Sequence, residues 1–429
     1  MTDPTNGEQP QHRASLLREL ARVRRSPSYR LGSLFTSTIR RPWLLPILPF
    51  RFGLLSFQIG LELIGKRAPP KTGTYTNLLQ NPSSQTFLLF PTNGVGFGHF
   101  TRMYALARAL RREDPDVVCI FFTTMPVLHV LYQERFITYH ISGRKRLDGF
   151  EAREWNTIVE EMLRIVIEAH NPTTFVFDGA FPYRGMLEAI GDYENLRKIW
   201  VRRGTMKARS SIPVDSEDFF ERIVVPGDVE DGEPTETGGE LRVPPMLLLN
   251  PDESLGRIQA RRTLGLATES KCVYVQLGAG NINDIDHDLG EVVHELLQRS
   301  ECQIVIGESM LGARIPVDHE RVRVLRDYPN SRFLQAFDAA VQAGGYNSFH
   351  EMRVAGIPTL FLPNAQTGMD DQERRCMTSV DEGWGVVRKR NDSRTMRQLI
   401  DEMFDLDRPS VRDIKNGSDV LAIELLRGD

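Results

Sequence analysis

Three times along this chain an apolar run of strand length breaks into a glycine loop and then resumes with helical spacing. The first runs from Thr86 to Pro91 into Gly94, Gly96 and Gly98, and continues with apolar residues at Met103, Leu106, Ala107 and Leu110. The second, Val273 to Leu277, enters Gly278, Gly280 and Asn281 and leads to a helix predicted over 286–299. The third, Ala339 to Gln342, turns at Gly344 and Gly345 into a segment that starts with Asn347 and Ser348. Short apolar runs bounded by glycine and followed by a period of about 3.6 read as strands feeding crossover helices. Parallel strands need such crossovers, so the chain is confined to α/β folds. Further strands predicted near 117–122, 136–141, 174–177, 198–201, 222–225, 303–306, 322–325 and 359–362 carry the alternation over most of the chain.

A chain of 429 residues exceeds one typical domain and suits two of about 150–200 residues with an extension. Between the two sets of strands lies Gly227 to Glu240, acidic and glycine-rich, with Pro244 and Pro245 just after it. That composition cannot enter a core and reads as an interdomain connection or a loose loop. The expected division is a basic, aromatic extension over 1–80, a first Rossmann-like domain over 81–245 and a second over 246–429.

The third glycine loop carries the densest chemistry. Asn347 and Ser348 stand where a helix begins, so free backbone N–H groups and the positive end of its dipole would face an anion such as a diphosphate. Glu351, about one turn on, points the same way, and a carboxylate accepts two hydrogen bonds from a ribose diol. The next strand ends at Pro363, followed by Asp370, Asp371, Gln372 and Glu373. The first loop is not a dinucleotide fingerprint: its glycines fall as GxGxG, and the strand after it ends in Thr123 and Thr124 with no acid for a ribose. It ends at His99, a general base, an oxyanion contact or a positioning histidine by its place at a helix start. Asp178 ends the strand 174–177, where parallel-sheet sites form; it is the other candidate base, or it caps the turn into a helix near Pro182. Arg202, Arg203 and Gly204 end the following strand, where arginine would bind an anionic acceptor or a phosphate, or simply face solvent.

The block from Gly344 to Gln372 resembles the C-terminal donor-binding domain of family 28 glycosyltransferases, whose best known member makes lipid II from UDP-N-acetylglucosamine. The resemblance rests on the glycine-initiated helix with Glu351, on Ala355-Gly356-Ile357-Pro358, on the strand ending in Pro363 and on the acid-amide loop. It covers about 85–405 and is stronger in the C-terminal half. It implies the GT-B fold, an α/β architecture of two doubly wound domains facing a cleft. It further implies Glu351 on the nucleotide ribose, Asp371 and Gln372 on sugar hydroxyls, and Gly278, Gly280, Asn281, Gly345, Asn347 and Ser348 around the donor phosphates. The base would lie near Arg332, Phe333 and Leu334, and Gly94, Gly96, Gly98, His99 and Arg203 would line the acceptor side. The implied donor is a UDP-sugar, with inversion at the anomeric carbon and neither cofactor nor metal. Two other readings stay open: a non-hydrolysing UDP-sugar 2-epimerase, and a catalytically silent glycosyltransferase-like subunit that binds a membrane partner.

The formal net charge of −4 argues against general nucleic-acid binding, but its distribution is uneven. Between Gln11 and Lys71 about a dozen Lys and Arg face two acids, Glu19 and Glu62, among Trp43, Phe50, Phe52, Phe57 and many leucines. Pro42, Pro46, Pro49 and Arg51 interrupt this run before the roughly 20 residues a span needs, which suits an interfacial segment on anionic lipid better. A basic helical hairpin packed on protein is the alternative. Residues 1–10 lack the pattern of a cleavable signal. The four cysteines have no paired spacing, and the histidines show no metal-ligand spacing. The expected setting is the cytoplasm, at the inner face of the plasma membrane, with a lipid-linked or glycan acceptor.

Overall fold

The computed structural model describes residues 23, 26–64, 66, 85–92, 96–144, 150–202, 214–228, 235–237, 240–278, 286–312, 315, 318–364, 370–409 and 414–427. Residues 1–84 and 85–429 form two separate compact units.

The larger unit holds two sheets. The first comprises β1 (Thr86–Pro91), β2 (Val118–Thr123), β3 (Ile137–His140), β4 (Thr174–Asp178), β5 (Arg197–Val201), β6 (Arg222–Pro226), β7 (Thr235–Thr237) and β8 (Glu240–Val243), in the order β3-β2-β1-β4-β5-β6-β8-β7. The second comprises β9 (Lys271–Gln276), β10 (Cys302–Gly307), β11 (Val322–Leu325), β12 (Ala339–Gln342), β13 (Thr359–Phe361) and β14 (Gly385–Val387), in the order β11-β10-β9-β12-β13-β14. Counted within each sheet, both begin 3-2-1-4-5-6, the doubly wound order, and every pairing but β7 with β8 is parallel.

Both sheets are covered on both faces, which is why their strands read as continuous apolar runs. In β1, Phe87 and Leu89 face one core while Leu88 and Phe90 face the other. The first core is closed by α3 (Gly98–Glu113) and the second by α4 (Ala152–His170) and α5 (Arg184–Gly191). In the other sheet, Val273 and Val275 pack with α6 (Asp286–Leu297), whereas Tyr274 packs beneath α7 (Tyr346–Ala355) and α8 (Gln372–Asp381). Helix α9 (Met396–Asp405) closes the α6 side. The chain then turns back, and α10 (Gly417–Arg427) sets Leu421, Ala422 and Leu425 into the first core, against α3. Gly417 permits that return: a Cβ there would stand 1.9 Å from the Pro244 carbonyl oxygen. The last helix therefore packs with the first sheet although it follows the second in sequence.

Part of the acidic connection is ordered into the first sheet rather than left as a loop. Residues 235–237 pair antiparallel with Glu240–Val243, and Leu241 and Val243 are buried. An edge hairpin needs one apolar face only, so acids on the rest of it are tolerated and blunt the edge.

The smaller unit is a helical hairpin of α1 (Pro27–Arg40) and α2 (Leu48–Leu63) joined by a 3-10 turn over Pro42–Ile47. Ser26 caps α1, Arg30 pairs with Glu62 at 2.6 Å, and Phe35 and Phe52 lie 5.8 Å apart between ring centroids. The prolines do not interrupt this segment as expected. Pro42 and Pro49 occupy first-turn positions, where proline fits, and Pro46 sits within the 3-10 turn. The continuous stretch Pro42–Leu63 is long and apolar enough, by length and composition, to cross a membrane. Trp43, Phe50, Phe57 and Leu63 are exposed.

Leu421→Ala tests the return of α10. It should cost about 2–5 kcal/mol in chemical denaturation, and a loss well under 1 kcal/mol would show that this helix is not part of the first core.

Candidate active site

In each sheet the first and fourth strands lie side by side with crossovers leaving in opposite directions, and their carboxyl ends form the crevice where α/β sites are built. The loop after β1 opens α3 at Gly98, and His99 is its second residue. Asp178 is the last residue of β4. Asp178 Oδ1 lies 2.7 Å from His99 Nδ1, and Asp178 accepts Arg102 Nη2 at 2.6 Å on Oδ1 and Nε at 2.9 Å on Oδ2. His99 and Arg102 are three residues apart on α3 and so share a face. The structure joins the two candidate bases into one site, and Asp178 does not cap the turn that follows it.

Asp178 is fully buried. Burial pushes its carboxyl up, but the charge of Arg102, the imidazole and their hydrogen bonds outweigh this and hold it below the ordinary carboxylate value. His99 Nδ1 also lies 3.0 Å from Arg102 Nη2; in the tautomer that carries its proton on Nδ1, His99 donates a hydrogen bond to the ionised Asp178, and the imidazole lone pair is then on Nε2.

At the second crevice, β9 runs into Gly278, whose φ of +98° is the left-handed region that favours glycine. Gly344, φ +78°, follows β12; a Cβ there would meet Cys376 Sγ of α8 at 2.3 Å, so only glycine lets α8 approach. Gly345 is the N-cap of α7, and Asn347 and Ser348 lie in its first turn. The Asn347 Oδ1 is buried without a partner, as are both amide atoms of Gln342, which is wholly buried at the end of β12. Unsatisfied buried polar atoms are rare in folded proteins, and those of Gln342 and Asn347 lie at one strand end and in the first turn of the helix it feeds.

Glu351, half-buried on α7, has its carboxyl pushed up to about 7 by burial, with Ser331 pulling partly back. Burial above all, and the nearby negative charge of Glu351, also push up the phenols of Tyr274 and Tyr328. Tyr328 reaches the other half: its hydroxyl is 2.8 Å from Thr101 Oγ1, and its ring stacks on Phe97 at 5.0 Å.

Asp371 is the N-cap of α8, accepting from the Arg374 N–H. Gln372 Oε1 accepts from the Asn364 N–H at 3.0 Å, and its Nε2 donates to Asp370 at 3.3 Å. Asp370 is buried against Arg375. Phe333 is buried with Tyr274 in the core beneath α7 and α8, with the Arg332 guanidinium over its ring at 4.5 Å. Gly96 precedes α3 with open space around it. Arg202 is committed to Glu217 and Glu240. Gly94, Arg203, Gly280 and Asn281 lie outside the described residues.

Sequence reasoning missed Arg102, Asp228, Tyr346 and Arg375. The available signal was an arginine one turn after His99 in an otherwise apolar stretch. Arg375 donates to both oxygens of Asp228, at 2.6 and 2.7 Å. Burial pushes Asp228 up, but hydrogen bonds from His350 and Arg375 hold it well below the ordinary range.

Solved glycosyltransferases share this arrangement of two sheets. The glycotransferase of kitacinnamycin matches with a TM-score of 0.56 at 15% identity, over 81% of this chain and 99% of its own. UGT71G1 of Medicago truncatula, complexed with UDP-glucose, matches with 0.52 at 13% identity, over 81% and 98%. MurG of Acinetobacter baumannii matches with 0.50 at 14% identity, over 80% and 100%. The fold is GT-B. No family model and no curated protein sequence matches.

The Glu351 carboxyl has a pH signature. A carboxyl raised in the folded state stabilises fully below its unfolded value, and that contribution is lost as pH rises through about 7. Glu351→Gln should be more stable than the parent at pH 8, by up to about 3 kcal/mol, and nearly equal to it below pH 5. Parallel stability curves for the two proteins between pH 5 and 8 would rule out a buried, raised Glu351.

Proposed function

We propose that this protein is a glycosyltransferase that moves a sugar from a UDP-sugar to a lipid-linked or polysaccharide acceptor at the cytoplasmic face of a membrane, with inversion and without a metal or cofactor. The observation that carries the reading is the His99–Asp178–Arg102 site at the first crevice of a GT-B fold whose second crevice presents Glu351 and the α7 N-terminus. One protein of this fold is complexed with UDP-glucose, which favours the same donor class here.

In this reading the chemistry divides between the halves. His99 Nε2 takes the acceptor hydroxyl proton, and Asp178, kept ionised by Arg102, stabilises the imidazolium that forms. The acceptor oxygen bonds to the donor C1 as the C1–O bond to the nucleoside diphosphate breaks. The diphosphate leaves with its charge facing the N–H groups of Asn347 and Ser348 at the start of α7, which supply the electrostatic stabilisation a metal supplies elsewhere. Glu351 accepts from the ribose diol, and Asp371 and Gln372 hold the sugar. Uracil specificity and inversion rest on the resemblance to family 28.

The hairpin over 27–63 supports the membrane part. Trp43, Leu45, Phe50, Leu54, Phe57 and Leu63 are exposed on it, and the flanking sequence is rich in arginine, the combination that enters a headgroup boundary and meets anionic lipid.

Calorimetry with UDP, GDP, dTDP and NAD, with magnesium or a chelator, tests the donor. UDP should bind selectively and independently of metal, more tightly at pH 8 than at pH 6 because an ionised Glu351 accepts from both ribose hydroxyls. His99→Ala should keep UDP affinity and lower turnover on the order of 10²- to 10⁴-fold. No nucleotide binding by the folded protein would favour the silent subunit, and a 2-epimerised sugar among the products would favour the epimerase.

Flotation with vesicles of phosphatidylglycerol and phosphatidylcholine tests the membrane. The full chain should float with the anionic vesicles and a chain lacking residues 1–67 should not; equal flotation of the two would overturn the assignment.

A further inference from the structure

Besides Tyr328, a second aromatic ring joins the two crevices. Tyr346 is the first residue of α7, immediately before Asn347 and Ser348. The guanidinium carbon of Arg102, from the first half, lies over its ring at 5.2 Å from the centroid, and that of Arg375, from the second, at 5.7 Å. Its hydroxyl donates to the Gly227 carbonyl at 2.8 Å and accepts from the Met246 N–H at 3.2 Å. Gly227 follows β6, and Met246 lies just past β8 at the start of the connection from the first sheet to the second. The His350 ring closes on it edge to face at 4.7 Å.

Each arginine over the ring is itself fixed by acids. Arg102 is held by Asp178, the partner of His99. Arg375 is held by Asp228 and Asp370, and Asp370 accepts from Gln372. Both arginines are buried. A continuous set of contacts therefore runs from His99 through Asp178 and Arg102 to Tyr346, and on through Arg375 and Asp370 to Gln372.

We propose that Tyr346 is a positioning residue that ties the start of α7 to the His99–Asp178–Arg102 site, so that nucleotide seated on the second half orders the candidate base on the first. The proposal rests on the donor reading above. The ring does the coupling, because it is the part that meets both guanidinium groups; the hydroxyl fixes the ring to the connection.

Hydrogen–deuterium exchange on the full chain, free and with saturating UDP, tests this. In the free protein Tyr346→Leu should raise exchange of the peptide over 97–105 by about tenfold, and Tyr346→Phe, which keeps the ring, should stay within about twofold of the parent. UDP should slow exchange over both 344–355 and 97–105 in the parent and in Tyr346→Phe. In Tyr346→Leu it should still slow 344–355 but no longer 97–105. Retained UDP protection of 344–355 separates loss of coupling from loss of folding or of binding. Exchange over 97–105 that is the same in Tyr346→Leu as in the parent, free and with UDP, would overturn the proposal. If UDP fails to protect the parent at all, the donor reading fails, and the free-protein comparison alone decides whether Tyr346 couples the two halves.

Discussion

A carboxylate wholly removed from water cannot stay ionised unless something nearby offsets its lost hydration. Asp178 meets that condition through the two-point grip of Arg102 and the contact with His99. The arrangement constrains much around it. Arg102 must lie one turn beyond His99, so α3 must begin at the β1 loop. The carboxylate must come from β4, the strand beside β1. Replacing Arg102 by an apolar residue would leave the buried charge of Asp178 with His99 alone, and breaking a buried pair costs roughly 3–5 kcal/mol in comparable cases. The pair is thus a demanding device for orienting one imidazole.

The same topology serves the second half with different chemistry. Both sheets carry the 3-2-1-4-5-6 order, so both bring a glycine loop and the end of a fourth strand to one point. In the first sheet that point holds a histidine and an acid; in the second it holds a helix N-terminus, a carboxylate on the next turn, and buried polar atoms without partners. The unpaired Gln342 amide and Asn347 oxygen contrast with the satisfied charges of the first site. A site that must bind and release a polar ligand has reason to leave its own polar atoms unpaired, because full internal pairing would compete with the ligand. Glu351 fits the same logic: its carboxyl, raised to about 7 by burial, regains favourable hydrogen bonds when a diol donates to it.

What the sequence made legible follows from periodicity. The strands fell on short apolar runs, because burial on both faces favours that pattern, and the glycines at 278 and 344 marked backbone with positive φ. His99, Asp178 and Glu351 were legible as strand-end and helix-start residues of the right chemistry. Illegible were the contacts made across space. Nothing in the sequence separates the buried Arg375 from the many arginines on the surface, and nothing aligns Asp228 with Arg375, 147 positions later. Pairing of His99 with Asp178 also needed the sheet order, since only the adjacency of β1 and β4 makes two candidate bases one site. The hairpin was misjudged for a local reason: prolines were read as breaks, although three of them fall where a helix start or a 3-10 turn accepts them.

Two buried guanidinium groups around one phenol ring would repel each other if left alone. They are tolerated because Asp178, Asp228 and Asp370 neutralise them within hydrogen-bonding distance, and because the ring face offers each a weak attraction of about 0.5–2 kcal/mol. Burial favours the neutral phenol of Tyr346, and Asp228 reinforces this, so the hydroxyl remains a donor to the Gly227 carbonyl. Each part therefore requires the others: the acids hold the arginines, the arginines hold the ring, and the ring hydroxyl holds the connection between the sheets. An assembly of this kind resists small adjustments, since moving one charge exposes another. It suits a joint between two halves better than a packed apolar patch does, because charges that must stay paired permit fewer arrangements than side chains that need only stay dry.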